Sequence, residues 1–127
     1  QLSAQKERIA ALPHTMSEAL ADSRPIVITS ASSPFTVVDV NEAWVGLCEY
    51  SREEALHQNL VDLLQGPETD TQVTQHMVSR LKREAYSEAF VTNYAKSGRK
   101  FQSHVQVGRL VADDGSAEFF VGILEEI

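Results

Sequence analysis

The chain has 127 residues, the usual size of one domain with one hydrophobic core. Its 18 acidic and 11 basic residues give a net charge of −7, which disfavours binding to nucleic-acid phosphates. No apolar run approaches the ~20 residues that cross a bilayer, the single cysteine excludes an internal disulfide, and the four dispersed histidines predict no metal site. We expect an intracellular, cytoplasmic protein that contacts neither nucleic acid nor membrane directly.

The N-terminal segment carries apolar residues at helical spacing, namely Leu2, Ile9, Leu12, Met16 and Leu20. This stripe predicts an amphipathic helix. Pro13 should kink or restart it, because proline lacks an amide hydrogen and clashes with the preceding turn. The helix is compatible with dimerisation and equally with a cap folded onto its own domain. We assign residues 1–23 to this segment and residues 24–127 to one domain.

The pattern becomes strand-like from residue 24 onward. Residues 25–30 and 35–40 are β-rich runs separated by four polar turn residues, which predicts a hairpin. Short helical pieces are expected between residues 41 and 65, and Asn41 is placed to cap the first of them.

A longer helix is predicted after the Gly-Pro pair at residues 66–67. Thr69 with Gln72 offers a capping box for its start, and we expect it to end near Glu84. Its packing stripe consists of Val73, Met77, Val78 and Leu81, and three cations lie near its end: Arg80, Lys82 and Arg83. We interpret the cations as a solvated end that suits the helix dipole, with a ligand-phosphate site as the alternative.

Three further strands are predicted in the last third of the chain. The final one, residues 119–124, is apolar on both faces, whereas an antiparallel strand usually leaves one face polar. Its outer side therefore needs a cover, from the N-terminal stripe or from a second copy of the chain. We expect a homodimer through the N-terminal helix and the outer-face residues Phe119, Val121 and Ile123. The element order predicts an α+β fold with an antiparallel sheet and helices on one face.

Several ordered motifs resemble the PAS family and, within it, the flavin-binding LOV branch. They are Asn-Glu-Ala-Trp at residues 41–44, Tyr-Ser-Arg-Glu-Glu at 50–54, Gly-Pro-Glu-Thr-Asp at 66–70, and the hairpin sequence Asn-Tyr-Ala-Lys-Ser-Gly-Arg-Lys-Phe at 93–101. The resemblance implies a PAS fold with a five-stranded antiparallel sheet, short helices on one face and an N-terminal flanking helix. It also implies a sensory role.

The photoreactive cysteine of LOV domains has no counterpart here. The resemblance places Leu60 or Val61 at its position, and an aliphatic side chain cannot form the bond to flavin that the thiol forms under illumination. Cys48 falls elsewhere, before Tyr50, and is expected to be a small buried filler. The resemblance therefore implies a non-photoactive domain.

The flavin contacts of the LOV branch carry over only in part. Gln65 and Asn93 match positions that hydrogen-bond the flavin, and Asn59 is a candidate for a third. Ser103 and Leu124 replace a ring-binding asparagine and a glutamine that senses flavin state. These five residues are the candidate ligand-binding residues.

The phosphate-binding arginine of the LOV branch is also missing, because Val61 or Asp62 takes its place. A carboxylate near a phosphate replaces attraction by repulsion. Fewer ring partners also leave fewer hydrogen bonds to offset desolvation of the flavin. We therefore expect no tightly bound cofactor, with FMN as the alternative. A pocket is expected to be lined by Val91, Asn93, Ser103, Val105 and Leu124.

Two functions remain open at this point. The leading hypothesis is a PAS signalling domain that acts as a dimerisation module, and the alternative is a sensor of flavin or another small ligand that works by redox change or occupancy. Catalysis is not expected. Ser103 and His104, for example, are neighbours on one strand, so their side chains point to opposite faces and cannot pair.

Overall fold

One antiparallel sheet organises the chain. The computed structural model describes residue 7, residues 11–32 and residues 34–127. The strands are β1 (Ile26–Ser30), β2 (Val37–Val40), β3 (Tyr86–Tyr94), β4 (Lys100–Val111) and β5 (Glu118–Glu126). They pair in the order β2-β1-β5-β4-β3. The α+β fold and the five-stranded antiparallel sheet are thus confirmed.

Five helices lie within the described residues. They are α1 (Met16–Ala21), α2 (Glu42–Cys48), α3 (Arg52–Ala55), α4 (Leu60–Leu64) and α5 (Thr71–Arg83). Helices α2 to α5 connect β2 to β3 and contribute to the core on the inner face of the sheet. No helix in the described part of the chain is long and apolar enough to cross a membrane.

Asn41 joins the start of α2 to the strand beside it. Its side-chain oxygen accepts hydrogen bonds from the amides of Trp44, at 3.0 Å, and Ile26, at 2.9 Å. Its amide nitrogen donates to the carbonyls of Asp22 and Arg24. One buried side chain therefore caps α2, as predicted, and also ties it to the start of β1.

The predicted capping box at the start of α5 is wrong. Asp70 is the N-cap, and its carboxylate accepts from the amide of Gln72 at 3.0 Å. The Thr69 hydroxyl instead accepts from the amide of Gly66 and donates to the carbonyl of Thr92 at 2.7 Å. Thr69 is therefore used to close the turn before the helix and to attach that turn to β3.

The N-terminal segment covers the outer face of the sheet. Leu12, Met16 and Ala19 pack with the outward-facing side chains Ile26, Ile28, Leu110, Val121 and Ile123. Leu12 lies so close to Gly108 that a Cβ there would collide with its methyl group. The segment is also held by hydrogen bonds from the Val111 amide to the His14 carbonyl and from Ser17 to Asp113.

This cover bears directly on the predicted homodimer. Val121 and Ile123 are fully buried within the chain, and Phe119 is half-buried. Leu20 is 38% exposed, because Ala19 occupies the buried position of this short helix instead. Leu2 and Ile9 lie outside the described residues. The described part of the segment thus caps its own sheet, and the homodimer stays a prediction.

Candidate ligand site

A cavity of about 520 Å³ lies between the inner face of the sheet and helices α4 and α5. This volume falls in the range of small-molecule sites, ~300–1,000 Å³. The sheet contributes Val27, Val91, Val105, Val107 and Leu124 to its wall. The helices contribute Leu60, Val61, Leu64, Met77, Val78 and Leu81. Most of the wall is therefore hydrocarbon.

Two aromatic rings add to the wall beside β5. Phe35 and Phe120 both line the cavity, and their ring centroids are 6.0 Å apart in a stacked arrangement. Phe35 has a φ of +59°, a left-handed backbone conformation that residues other than glycine rarely adopt. The strand pattern predicted an apolar run here, but not that this ring would face the cavity.

Helix α5 presents a second stripe to the cavity, beside the predicted packing stripe. Thr74, Gln75, Ser79 and Lys82 all line the cavity, and their spacing of one, four and three residues keeps them on one side of the helix. Of this stripe only Lys82 was predicted as a candidate for ligand contact, among the three cations near the end of the helix. The helical period of 3.6 residues could be predicted from the sequence. The side of the helix that meets the cavity could not, because it depends on how α5 packs.

The predicted site residues divide into two groups. Gln65, Asn93 and Leu124 line the cavity, whereas Asn59 and Ser103 are not among its lining residues. Asn59 is the N-cap of α4, and its side chain accepts from the amide of Val61 at 2.9 Å. Ser103 was predicted in the pocket wall, but its side chain is buried against Asn93 instead. The other predicted wall residues, Val91 and Val105, do line the cavity.

Asn93 already has its carbonyl oxygen engaged within the protein. The Ser103 hydroxyl donates to Asn93 Oδ1 at 2.6 Å, and both residues are buried. The amide of Asn93 approaches the Leu64 carbonyl only at 3.5 Å, which is long for a hydrogen bond. In the described part of the chain the Gln65 side chain has no hydrogen-bond partner. Gln65 is therefore the freer of the two amides to bind a ligand.

The residues predicted to occupy the position of the LOV photoreactive cysteine lie on the cavity wall. Both candidates for it, Leu60 and Val61, line the cavity. Asp62, the alternative replacement for the phosphate-binding arginine, is exposed and is not among the lining residues. This part of the wall is therefore aliphatic whether Leu60 or Val61 is aligned with the cysteine.

Cys48 lies at the end of α2, outside the cavity lining. Its side chain is fully buried in the core cluster that also contains Trp44. Burial disfavours the thiolate and raises the pKa of the Cys48 thiol to about 12. The thiol is therefore protonated at neutral pH, and the expected role as a buried filler agrees with its position.

In the described part of the chain, the polar groups outside the cavity gather no cluster of metal ligands and no Ser103–His104 pair. No group of three potential metal ligands occurs among the described residues. Ser103 faces the inner side of the sheet, while His104 faces the outer side, where it lies 2.7 Å from Glu88 and stacks on Phe90. Ser103 and His104 therefore do not pair, as expected.

A five-stranded antiparallel sheet, with short helices and an apolar cavity on its inner face, defines the class of α+β domain. The chain belongs to the family described as PAS fold, whose sequence profile matches residues 16–127.

The relatives of this chain include a blue-light-activated histidine kinase and a phototropin. The chain is 35% identical over 86 residues to blue-light-activated histidine kinase 1 of Erythrobacter litoralis, covering 68% of this chain and 24% of the kinase. It is 31% identical over 98 residues to phototropin-1A of rice (Oryza sativa subsp. japonica), covering 76% of this chain and 10% of the phototropin. The chain therefore spans a quarter or less of the length of these two proteins.

The fold is similar to a solved LOV domain. That domain comes from a blue-light-activated histidine kinase of Erythrobacter litoralis and superposes with a TM-score of 0.72 at 24% sequence identity. The superposition covers 84% of this chain and 97% of the LOV domain. At this level of identity the likeness concerns the fold.

The Ser103–Asn93 pair should contribute to stability as a unit. Ser103→Ala leaves the buried Asn93 Oδ1 without its donor, so we expect the free energy of unfolding to fall by about 1–3 kcal/mol in urea titrations. Adding Asn93→Leu removes both partners, and the double variant should lose less than the sum of the single losses. Ser32→Ala, at an exposed turn position where no hydrogen bond to the side chain occurs among the described residues, is the control and should stay within about 0.5 kcal/mol of the unmodified chain. Strict additivity of the two losses would contradict the pairing.

Proposed function

We propose that this chain is a sensory PAS domain of LOV-like type that responds to occupancy of its cavity by a small molecule. The proposal is supported by the composition of the cavity wall: Leu60 and Val61, one of which is predicted to stand where LOV domains keep the reactive cysteine, line the cavity, and Cys48 does not. Binding without a covalent bond to a cysteine follows from this arrangement. FMN remains one candidate occupant, and redox change of a bound flavin is the corresponding alternative signal.

The sensory role is supported by the histidine kinases among the relatives, which are named for activation by blue light. Their kinase activity is not transferred, because the chain spans only 24% of the histidine kinase it resembles. The chain itself offers no paired nucleophile and base in the described residues that would support catalysis. We therefore propose a signalling module rather than an enzyme.

We call residues 11–21, which cover the outer face of the sheet, the N-terminal cap. This cap packs on two strands that also line the cavity. Along β5, Gly122 and Leu124 face the cavity, while Val121 and Ile123 alternate with them and face the cap. Strand β1 has the same arrangement, with Val27 on the cavity side and Ile26 and Ile28 beneath the cap. A ligand that moves these strands changes the surface on which the cap packs.

Homodimerisation through the outer face is a second candidate function. Phe90 is 67% exposed on this face, beyond the area that the cap covers. Displacing the cap would add Val121 and Ile123 to the same surface, next to Phe119. An apolar area of that kind favours self-association. We propose that cap release links the ligand state to dimerisation.

Blue light tests the absence of cysteine chemistry. The protein is saturated with FMN, and the bound fraction is measured before illumination. We expect no bleaching of flavin absorbance that recovers in the dark by breaking a thiol bond, because no thiol lines the cavity. Cys48→Ser is the matched control and should behave like the unmodified chain. A reversible bleach that disappears in Cys48→Ser would show that the thiol reaches the flavin and would contradict the proposal.

Removal of residues 1–21 tests the role of the cap. The truncated chain loses the side chains of Leu12, Met16 and Ala19 and exposes apolar sheet surface, so we expect a loss of about 2–5 kcal/mol in stability. We also expect a concentration-dependent rise in mass by sedimentation. The control is Leu20→Ala, which truncates an exposed residue of α1. An unchanged mass and unchanged stability would remove the cap from the mechanism.

A further inference from the structure

The cavity wall carries one ionisable side chain, and this side chain is basic although the chain as a whole has a net charge of −7. Of the 18 acidic residues, none is among the described residues that line the cavity. Lys82, in the last turn of α5, is the only cation there. The wall therefore combines a hydrocarbon interior with a single positive charge.

Lys82 has no ion-pair or hydrogen-bond partner for its side chain among the described residues. Its neighbour Arg80 lies 3.7 Å from Glu84, and Arg109 donates to the carbonyls of Leu81 and Lys82. These hydrogen bonds from Arg109 satisfy two carbonyl groups at the end of α5 and hold its last turn against β4. The Lys82 stem is long enough to lie along the rim of the cavity while its ammonium group stays in water.

We propose that the cavity binds an apolar molecule that carries one anionic group, with the anion at Lys82. This inference rests on the proposed function, which requires only that some small molecule occupies the cavity. The hydrocarbon part would lie among Met77, Val91, Val105 and Leu124. The carboxylate or similar group would remain at the rim, where its desolvation is small and Lys82 attracts it.

Alternative ligand classes fit this wall less well. A flavin ring needs several hydrogen-bond partners along its polar edge, but Leu124 offers none and the Asn93 carbonyl oxygen is bonded to Ser103. Among the described residues, Gln65 is the one side-chain amide left free beside them, and the other free polar groups of the wall lie along α5. A cationic ligand would meet Lys82 without a compensating carboxylate on the wall. An uncharged hydrocarbon fits the interior but makes no use of Lys82. The amphipathic anion is the class that uses both features.

Calorimetric titration with matched probes tests the inference on the full chain. The probes are decanoate, decanol and FMN, at low ionic strength. We expect decanoate to bind about fivefold more tightly than decanol, the upper range for an exposed charge pair. Lys82→Gln should abolish that difference, and Lys82→Arg should retain it. Arg83→Gln changes an adjacent exposed cation outside the cavity lining and should leave it intact.

Two further measurements separate the cavity from surface binding. Val78→Trp enlarges a half-buried side chain on the wall and should weaken both decanoate and decanol. Added salt should weaken decanoate binding in the unmodified chain but not in Lys82→Gln. The melting temperature of each variant confirms that it is folded.

The outcomes distinguish this inference from the proposed function. If decanoate and decanol bind equally, or if FMN binds more tightly than decanoate, the anionic-ligand inference is overturned while cavity occupancy stands. If no probe binds to the folded chain, the occupancy proposal fails together with the inference. If Val78→Trp leaves decanoate binding unchanged, the decanoate site is not this cavity and the inference is overturned.

Discussion

The apolar character of both faces of β1 and β5 is the constraint on which the structure depends. Ile26 and Ile28 point to one side and Val27 to the other, and β5 repeats the pattern with Val121, Ile123 and Leu124. An antiparallel sheet of this kind cannot leave either face in water without a large cost. The helices therefore cover one face and the N-terminal segment covers the other, so that changes on either side act on the same strands.

The cover on the inner face is incomplete, and this incompleteness is the basis of the proposed function. The helices leave a cavity of about 520 Å³, whose hydrocarbon walls lose packing contacts when it is empty. A molecule that fills the cavity restores those contacts and stabilises the folded state in proportion to its affinity and concentration. With Leu60 and Val61 on the cavity wall and Cys48 outside it, occupancy itself is the proposed signal.

Local patterns in the sequence were sufficient for most of the fold. The alternation of apolar and polar residues predicted β3 and β4. The capping role of Asn41 was predicted from its residue type alone. The failures involve contacts between distant segments: Thr69 bonds to Thr92 rather than capping α5, and Ser103 bonds to Asn93 rather than lining the cavity. Lys82 was one of three cations for which a ligand-phosphate site was the alternative, but which of the three would line the cavity depends on which side of α5 faces the sheet. Such choices are decided by packing, which no local pattern encodes.

A native mass spectrum of the purified chain tests most directly whether non-covalent occupancy of the cavity is the basis of function. The account predicts a species that carries one small molecule, retained under gentle ionisation, released on collisional activation, and equally abundant in dark and illuminated samples. A folded chain that appears only at its own mass, even after incubation with a cell extract, would contradict the account.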